Sequence, residues 1–219
     1  MKKMLFNRQY GLEQAVIELR KDMTRRMERI DLCPGHREQE IEKFCHVCTI
    51  KGRQVWMGYD GKENVIAQLI PRYAIGEEVA VAQSYKSIDE EIQRQGLPLD
   101  IKDKFRKHPG WKNKMFVRAD LMPHHIRITD IRMERLQDIT DEDCLREGIY
   151  KYNALPDALG EDRYKFISYA YDATQDKHRK RKWFPTPREA FAALIDKVSG
   201  RGTWNSNPWV VVYEFESIN

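Results

Sequence analysis

Apolar residues at Leu12, Ala15, Val16 and Leu19 recur at i, i+3, i+4 and i+7, the stripe of a short amphipathic helix over 12–20. Its other face carries Glu13, Gln14, Glu18 and Arg20. The period then changes: an extended stretch over 23–27 sets Thr24 and Arg26 on one side and Met23, Arg25 and Met27 on the other. A polar loop with Pro34-Gly35 and a short helical piece follow, and then three strand patterns over 46–50, 53–57 and 64–70. Lys51-Gly52 and Asp60-Gly61 are turn dipeptides between them, which suits an antiparallel meander. Val79 to Ala82 reads as an interior strand with small residues on one face.

Beyond a short helix over 88–94 the apolar period fades, and the stretch to Lys114 reads as a surface excursion. The clearest strand spans 126–136, with Ile126 and Ile128 in one phase and Ile131 and Met133 in the other. That slip near Thr129-Asp130 implies a β-bulge. Thr140 then caps a helix over 141–147, Asp143 can bond back to the cap, and Gly148 stops it. Glu147 falls in the last turn, where the helix dipole disfavours a carboxylate by roughly 0.3–1 kcal/mol. Thr186-Pro187-Arg188-Glu189 starts another helix over 187–198 with Phe191, Leu194, Ile195 and Val198 as its apolar stripe. The last strand, 209–215, is apolar on both faces at first and therefore interior. The sum is an α+β fold: one domain over 1–219, a small mixed barrel of about six strands with packed helices. Insertions lie near 28–70, 86–114 and 150–183, the last two being surface excursions.

Composition narrows the setting more than the fold. The chain has 219 residues, 41% of them hydrophobic, which is enough for a core, and its formal charge of +4 permits nucleic-acid contact without requiring it. Neither the first ten residues nor any later stretch has the apolar run of a signal peptide or membrane span, so the expectation is a soluble, cytoplasmic protein without a membrane partner. Cys33, His36, Cys45 and Cys48 have zinc-compatible chemistry in C-x2-H-x8-C-x2-C. However, residues three apart in a regular strand face opposite ways, so Cys45 and Cys48 would need a tight turn to converge. Reduced free thiols are the simpler reading, and no metal or cofactor is assigned.

Lys21, Thr24 and Arg26 offer an ammonium, a hydroxyl and a fixed bidentate donor, a set suited to an anionic or carbonyl-bearing ligand. The same Lys and Arg enrichment is also what a helix C-terminus favours without any ligand. Near the far end, Tyr152, Tyr164, Phe166, Tyr169 and Tyr171 precede Lys177, Arg179, Lys180, Arg181 and Lys182. Rings beside cations suit single-stranded nucleic acid, and a solvated loop over an aromatic cluster accounts for them equally well.

Five pieces in order resemble the ASCH family of the PUA-like superfamily: Met4-Leu5-Phe6-Asn7, R-K-x-x-T-R-R at 20–26, Gly76-Glu77 before a strand, the 126–136 strand followed by ITDEDCLREGI, and the closing NPWVVVYEF. The likeness is nearest to the longer phage and bacterial members and spans almost the whole chain. It implies a compact PUA-like β-barrel and an association with RNA or a modified nucleoside. The cleft it implies is lined by Lys21, Thr24, Arg26 and Glu147, with Arg25 beside them as a ligand contact. In the small ASCH members that deacylate N-acetylcytidine, the resemblance assigns Thr24 the nucleophile's place, Lys21 the base's and Glu147 the acid's. An amidohydrolase is therefore one implied function beside a binding module, and a phage or host protein-interaction module is a third. One departure stands out: the family run has Gly where this chain has Leu19. Leu19 is expected to complete the helix stripe and to bar close approach of a ligand backbone.

Overall fold

The computed structural model describes residues 1–96, 101–152, 163–165 and 184–218. Its strands are β1 (Lys2–Met4), β2 (Met23–Arg26), β3 (Asp31–Leu32), β4 (Lys43–Ile50), β5 (Arg53–Tyr59), β6 (Val65–Leu69), β7 (Glu78–Val81), β8 (His125–Arg135), β9 (Tyr150–Tyr152), β10 (Arg163–Lys165) and β11 (Trp209–Ser217). The helices are α1 (Leu12–Ile17), α2 (Tyr85–Arg94), α3 (Lys102–Phe105), α4 (Asp141–Arg146), α5 (Pro187–Ser199) and α6 (Thr203–Ser206). The protein is α+β, with a five-stranded mixed sheet in the order β1-β7-β8-β11-β2 and a four-stranded antiparallel sheet in the order β3-β6-β5-β4. Among the described residues no helix is long and apolar enough to cross a membrane.

The centre of the larger sheet follows from its residues. β11 runs between β8 and β2, and Trp209 to Tyr213 are all buried, as a strand apolar on both faces requires. Thr129 is the extra residue of β8: Asp130 pairs with Glu214 while Ile128 pairs with Phe215. The bulge keeps Ile126 and Ile128 on the buried side together with Ile131, although the sequence phase slips between them. Trp209 ties the two sheets, donating Nε1–H to the Ile41 carbonyl at 3.3 Å and taking the Phe44 ring edge-on at 5.0 Å. The meander turns at Lys51-Gly52, both with positive φ, which is the two-residue hairpin geometry its sequence calls for.

Three expectations change. α1 stops at Ile17, and Leu19 is 72% exposed with φ 59°, so it does not complete the stripe. Glu13, expected on the polar face, is buried and paired with Lys114 at 3.0 Å. The stretch after β7 is more than a surface excursion: Ser84 caps α2 three residues earlier than the apolar pattern suggested, and Tyr85 and Ile88 join Ala80, Ala82, Val117 and Met122 in a second core. Of the 150–183 stretch, the structure describes the β9–β10 pair; the basic run 177–182 and the rings Phe166, Tyr169 and Tyr171 lie outside the described residues.

Candidate functional site

Two helix ends meet at the candidate site, and both end in the same way. After α1, Leu19 N–H bonds the Val16 carbonyl and Arg20 N–H the Ala15 carbonyl, a Schellman turn with Leu19 in the left-handed position that glycine usually fills. After α4, Gly148 (φ 100°) bonds Leu145 and Ile149 bonds Cys144 in the same pattern. The two turns aim Lys21 and Glu147 at one another. Gly148 suits this turn through its positive φ, not through crowding: a Cβ built there would make ordinary contacts, 3.4 Å from the Ala15 Cβ and 3.5 Å from the Lys21 Cδ.

Lys21 and Glu147 form a buried pair at 2.5 Å, their side chains 1% and 6% exposed. The ammonium has three donors, and all are used: Glu147 Oε2, the Glu147 carbonyl at 2.8 Å and the Met23 carbonyl at 2.7 Å. Glu147 Oε1 accepts the Arg25 backbone N–H at 2.6 Å, so the carboxylate also fastens β2 to the end of α4. The charge that the helix dipole disfavours is thus compensated by Lys21 and by Arg25. Burial pushes the Lys21 ammonium below its ordinary range, with Glu147 opposing the shift.

Strand alternation splits the two arginines. Arg25 turns toward α4, its side chain fully buried, and meets Glu134 and Asp143 at 2.6 Å each and Glu147 at 3.3 Å. Burial alone would lower its pKa; these carboxylates outweigh it and the net direction is upward. Arg25, expected to contact ligand, is therefore committed to structure. Asp143 likewise does not bond back to the helix cap, because Arg25 and Arg132 take its carboxylate. Arg26 turns to the opposite face, where its Nη2 donates to the Leu5 carbonyl at 2.6 Å and its guanidinium lies 5.3 Å over the Phe6 ring. Lys21 Nζ lies 5.9 Å over the same ring. Burial holds Arg26 below its usual value.

Lys21, Arg26 and Glu147 therefore converge around Phe6, with Thr24 in the strand between them. Two donors there are left over among the described residues: Arg26 Nε is buried with no partner, and the hydroxyl of Thr24, a residue 5% exposed, bonds to none of them. The sequence assigns Phe6 and Glu134 no role at the site, and Asp143 only a capping one. Phe6 belongs to the opening family landmark, but the carboxylate partners of Arg25 had no local signal, since they come from β8 and α4.

The cysteines hold a reversal of detail. Val47 is the extra residue of a bulge in β4, which leaves Cys45 opposite Met57 and Cys48 opposite Val55, hence on one face despite their odd spacing. Cys33 follows β3 on the far strand of that sheet, and His36 Nδ1 pairs with Glu40 at 2.9 Å. Among the described residues no three His, Cys, Asp or Glu side chains are grouped to hold a metal. No family model, no curated protein and no solved structure matches this chain.

Proposed function

We propose that this chain is an ASCH-type, PUA-like module that binds RNA or a modified nucleobase in the cleft of Lys21, Thr24, Arg26 and Glu147. The observation that supports the reading is the Arg26 Nε–H, buried without a partner among the described residues, beside the unbonded Thr24 hydroxyl on the same face of β2. An unsatisfied buried polar group costs about 1–3 kcal/mol, and a base carbonyl offers acceptor lone pairs to just such donors. The Lys21–Glu147 pair holds the strand in place beneath them, and the Phe6 ring supplies the apolar wall. The basic run Lys177, Arg179, Lys180, Arg181 and Lys182 extends this reading to an RNA strand on sequence grounds alone.

Calorimetric titration with cytidine, N4-acetylcytidine and uridine tests it. Thr24→Val, which keeps the shape and removes the hydroxyl, is expected to weaken the best ligand at least tenfold, the loss of about one buried hydrogen bond with its desolvation. Retention of full affinity in that variant, or no nucleoside binding by the parent, would overturn the cleft.

Amidohydrolysis is the second reading, favoured by the downward shift of the Lys21 ammonium, which a general base needs. Thr24 Oγ would attack the amide carbonyl as Lys21 takes its proton; Glu147 would protonate the departing amine, and water would hydrolyse the acyl-threonine. The direct Lys21–Glu147 contact argues for binding first, because this route needs a neutral Lys21 parted from Glu147 by the substrate. Release of cytidine from N4-acetylcytidine, abolished in each of Thr24→Ala, Lys21→Ala and Glu147→Ala, is the expected result. Turnover surviving all three changes would sink the mechanism.

A further inference from the structure

Residues 101–122 carry seven Lys and Arg against two Asp, an excess of five, whereas the whole chain has an excess of four. This lobe is therefore one of the chain's two strongly basic stretches, the run 177–182 being the other. Its inward cations are spent on the fold. Lys114 Nζ is held by Glu13 and the Phe6 carbonyl. From the other side, Lys3 reaches into the lobe and caps the carbonyls of Lys114, Met115 and Val117. With Val117 and Met122 buried against Tyr85 and Ala80, the lobe is anchored to the larger sheet.

The outward cations have no such work. Lys104, Arg106, Lys107 and Lys112 are exposed, and none has a carboxylate partner among the described residues. A surface built for solubility intersperses both signs and hides its large apolar side chains. Here Phe116 is 59% exposed and Met115 56%, beside a groove of about 400 Å³ whose walls include Lys2, Lys3, Arg72 and Arg118, of which Lys2 pairs with Glu77 and Arg118 with Asp120. Unpartnered cations on the same lobe as an exposed ring match a chain that alternates phosphates with flat bases, and they do not match an acidic peptide, which has no use for the ring.

We infer that the 101–122 lobe is a docking surface for single-stranded nucleic acid, with Lys104, Arg106, Lys107 and Lys112 on phosphates and Phe116 stacking a base. It shares a ligand class with the cleft reading and does not depend on the cleft. The test is fluorescence anisotropy with a labelled uridine-rich RNA twelvemer across a salt series. The variant Lys104→Gln/Arg106→Gln/Lys107→Gln/Lys112→Gln is set against Arg29→Gln/Arg37→Gln/Lys51→Gln/Lys62→Gln, which removes the same charge from exposed positions elsewhere. The lobe variant is expected to bind at least tenfold more weakly than the control at low salt. Its salt slope should be shallower by about 0.7 for each phosphate that the variant no longer neutralises. Phe116→Ala is expected to lower affinity at least fivefold at unchanged slope, since stacking carries no charge. The cleft is read separately, by nucleoside calorimetry, and the lobe by the lobe-against-control comparison, so either site can fail alone. Equal affinity and slope in the lobe and control variants would overturn the inference.

Discussion

Leu19 holds a backbone conformation that costs an L-residue roughly 1–2 kcal/mol and glycine almost nothing. Its side chain recovers none of this, being 72% exposed. The position is the left-handed residue of the Schellman turn, so what it requires is positive φ, not an apolar contact. Leu19→Gly is accordingly expected to be neutral or stabilising by up to about 1 kcal/mol, strain relief being partly offset by unfolded-chain entropy. Leu19→Val, with a branched Cβ, is expected to cost about 1 kcal/mol or more. Urea denaturation of the two variants reads both numbers. The neighbouring arginines make the complementary point: Arg25 and Arg26 are one residue apart and chemically identical, and strand alternation alone sends one to three carboxylates and the other to an aromatic ring, each keeping a buried Nε without a partner among the described residues.

At the scale of elements, caps and bulges place the site. Thr140 Oγ1 accepts the Asp143 N–H at 3.1 Å and starts α4, whose far end delivers Glu147. Thr140→Ala is expected to cost about 1 kcal/mol of stability, measured by chemical denaturation, without removing any group from the cleft. The β8 bulge can be tested in the same way. Deleting Thr129, the extra residue, would leave Ile128 opposite Phe215 and Asp130 opposite Glu214 in a regular ladder with Ile126, Ile128 and Ile131 all still inward, so that variant is expected to fold cooperatively, and loss of cooperative folding on that deletion would contradict the assigned pairing.

The molecule as a whole is held by charge as well as by apolar burial along the outer face of β8, β11 and β2. Glu214 accepts from Arg146 at 2.8 Å and from Arg132, and Arg146 also reaches Asp22 at 2.9 Å. The Arg146 hydrogen bond, with Arg132 behind it and burial opposing, holds the Glu214 carboxyl below its ordinary 4.5. A lowered carboxyl pKa means that the unfolded chain binds more protons in the window beneath 4.5. The stability contributed by Glu214 is thus complete above that pH and lost as pH falls through the lowered value. The difference in melting temperature between the parent and Glu214→Gln should be constant near neutrality and shrink as the pH drops below about 4.5. A difference that widened on acidification would reverse the assigned direction.

Much of this was legible in the chain alone, wherever the cause is local. Thr140 and Thr186 mark helix starts because a side-chain oxygen three residues before a free N–H satisfies it in any context. The phase slip at Thr129 marks a bulge because strand side chains alternate with period two. The double-sided apolar run of 209–215 marks an interior strand because both its faces must leave water. Other features required the tertiary structure because their causes are distant in sequence. That Arg25 is consumed by Glu134, Asp143 and Glu147 depends on α4 and β8 crossing β2. That Leu19 turns outward depends on where α1 must end for Lys21 to reach Glu147. The second core under α2 hides Ser87, Asp89 and Glu91, whose polarity reads as surface until the lobe packs over them. Local chemistry determined the elements and nominated Lys21, Thr24, Arg26 and Glu147; only the packing of elements decided which charges neutralise one another and which donors remain for a ligand.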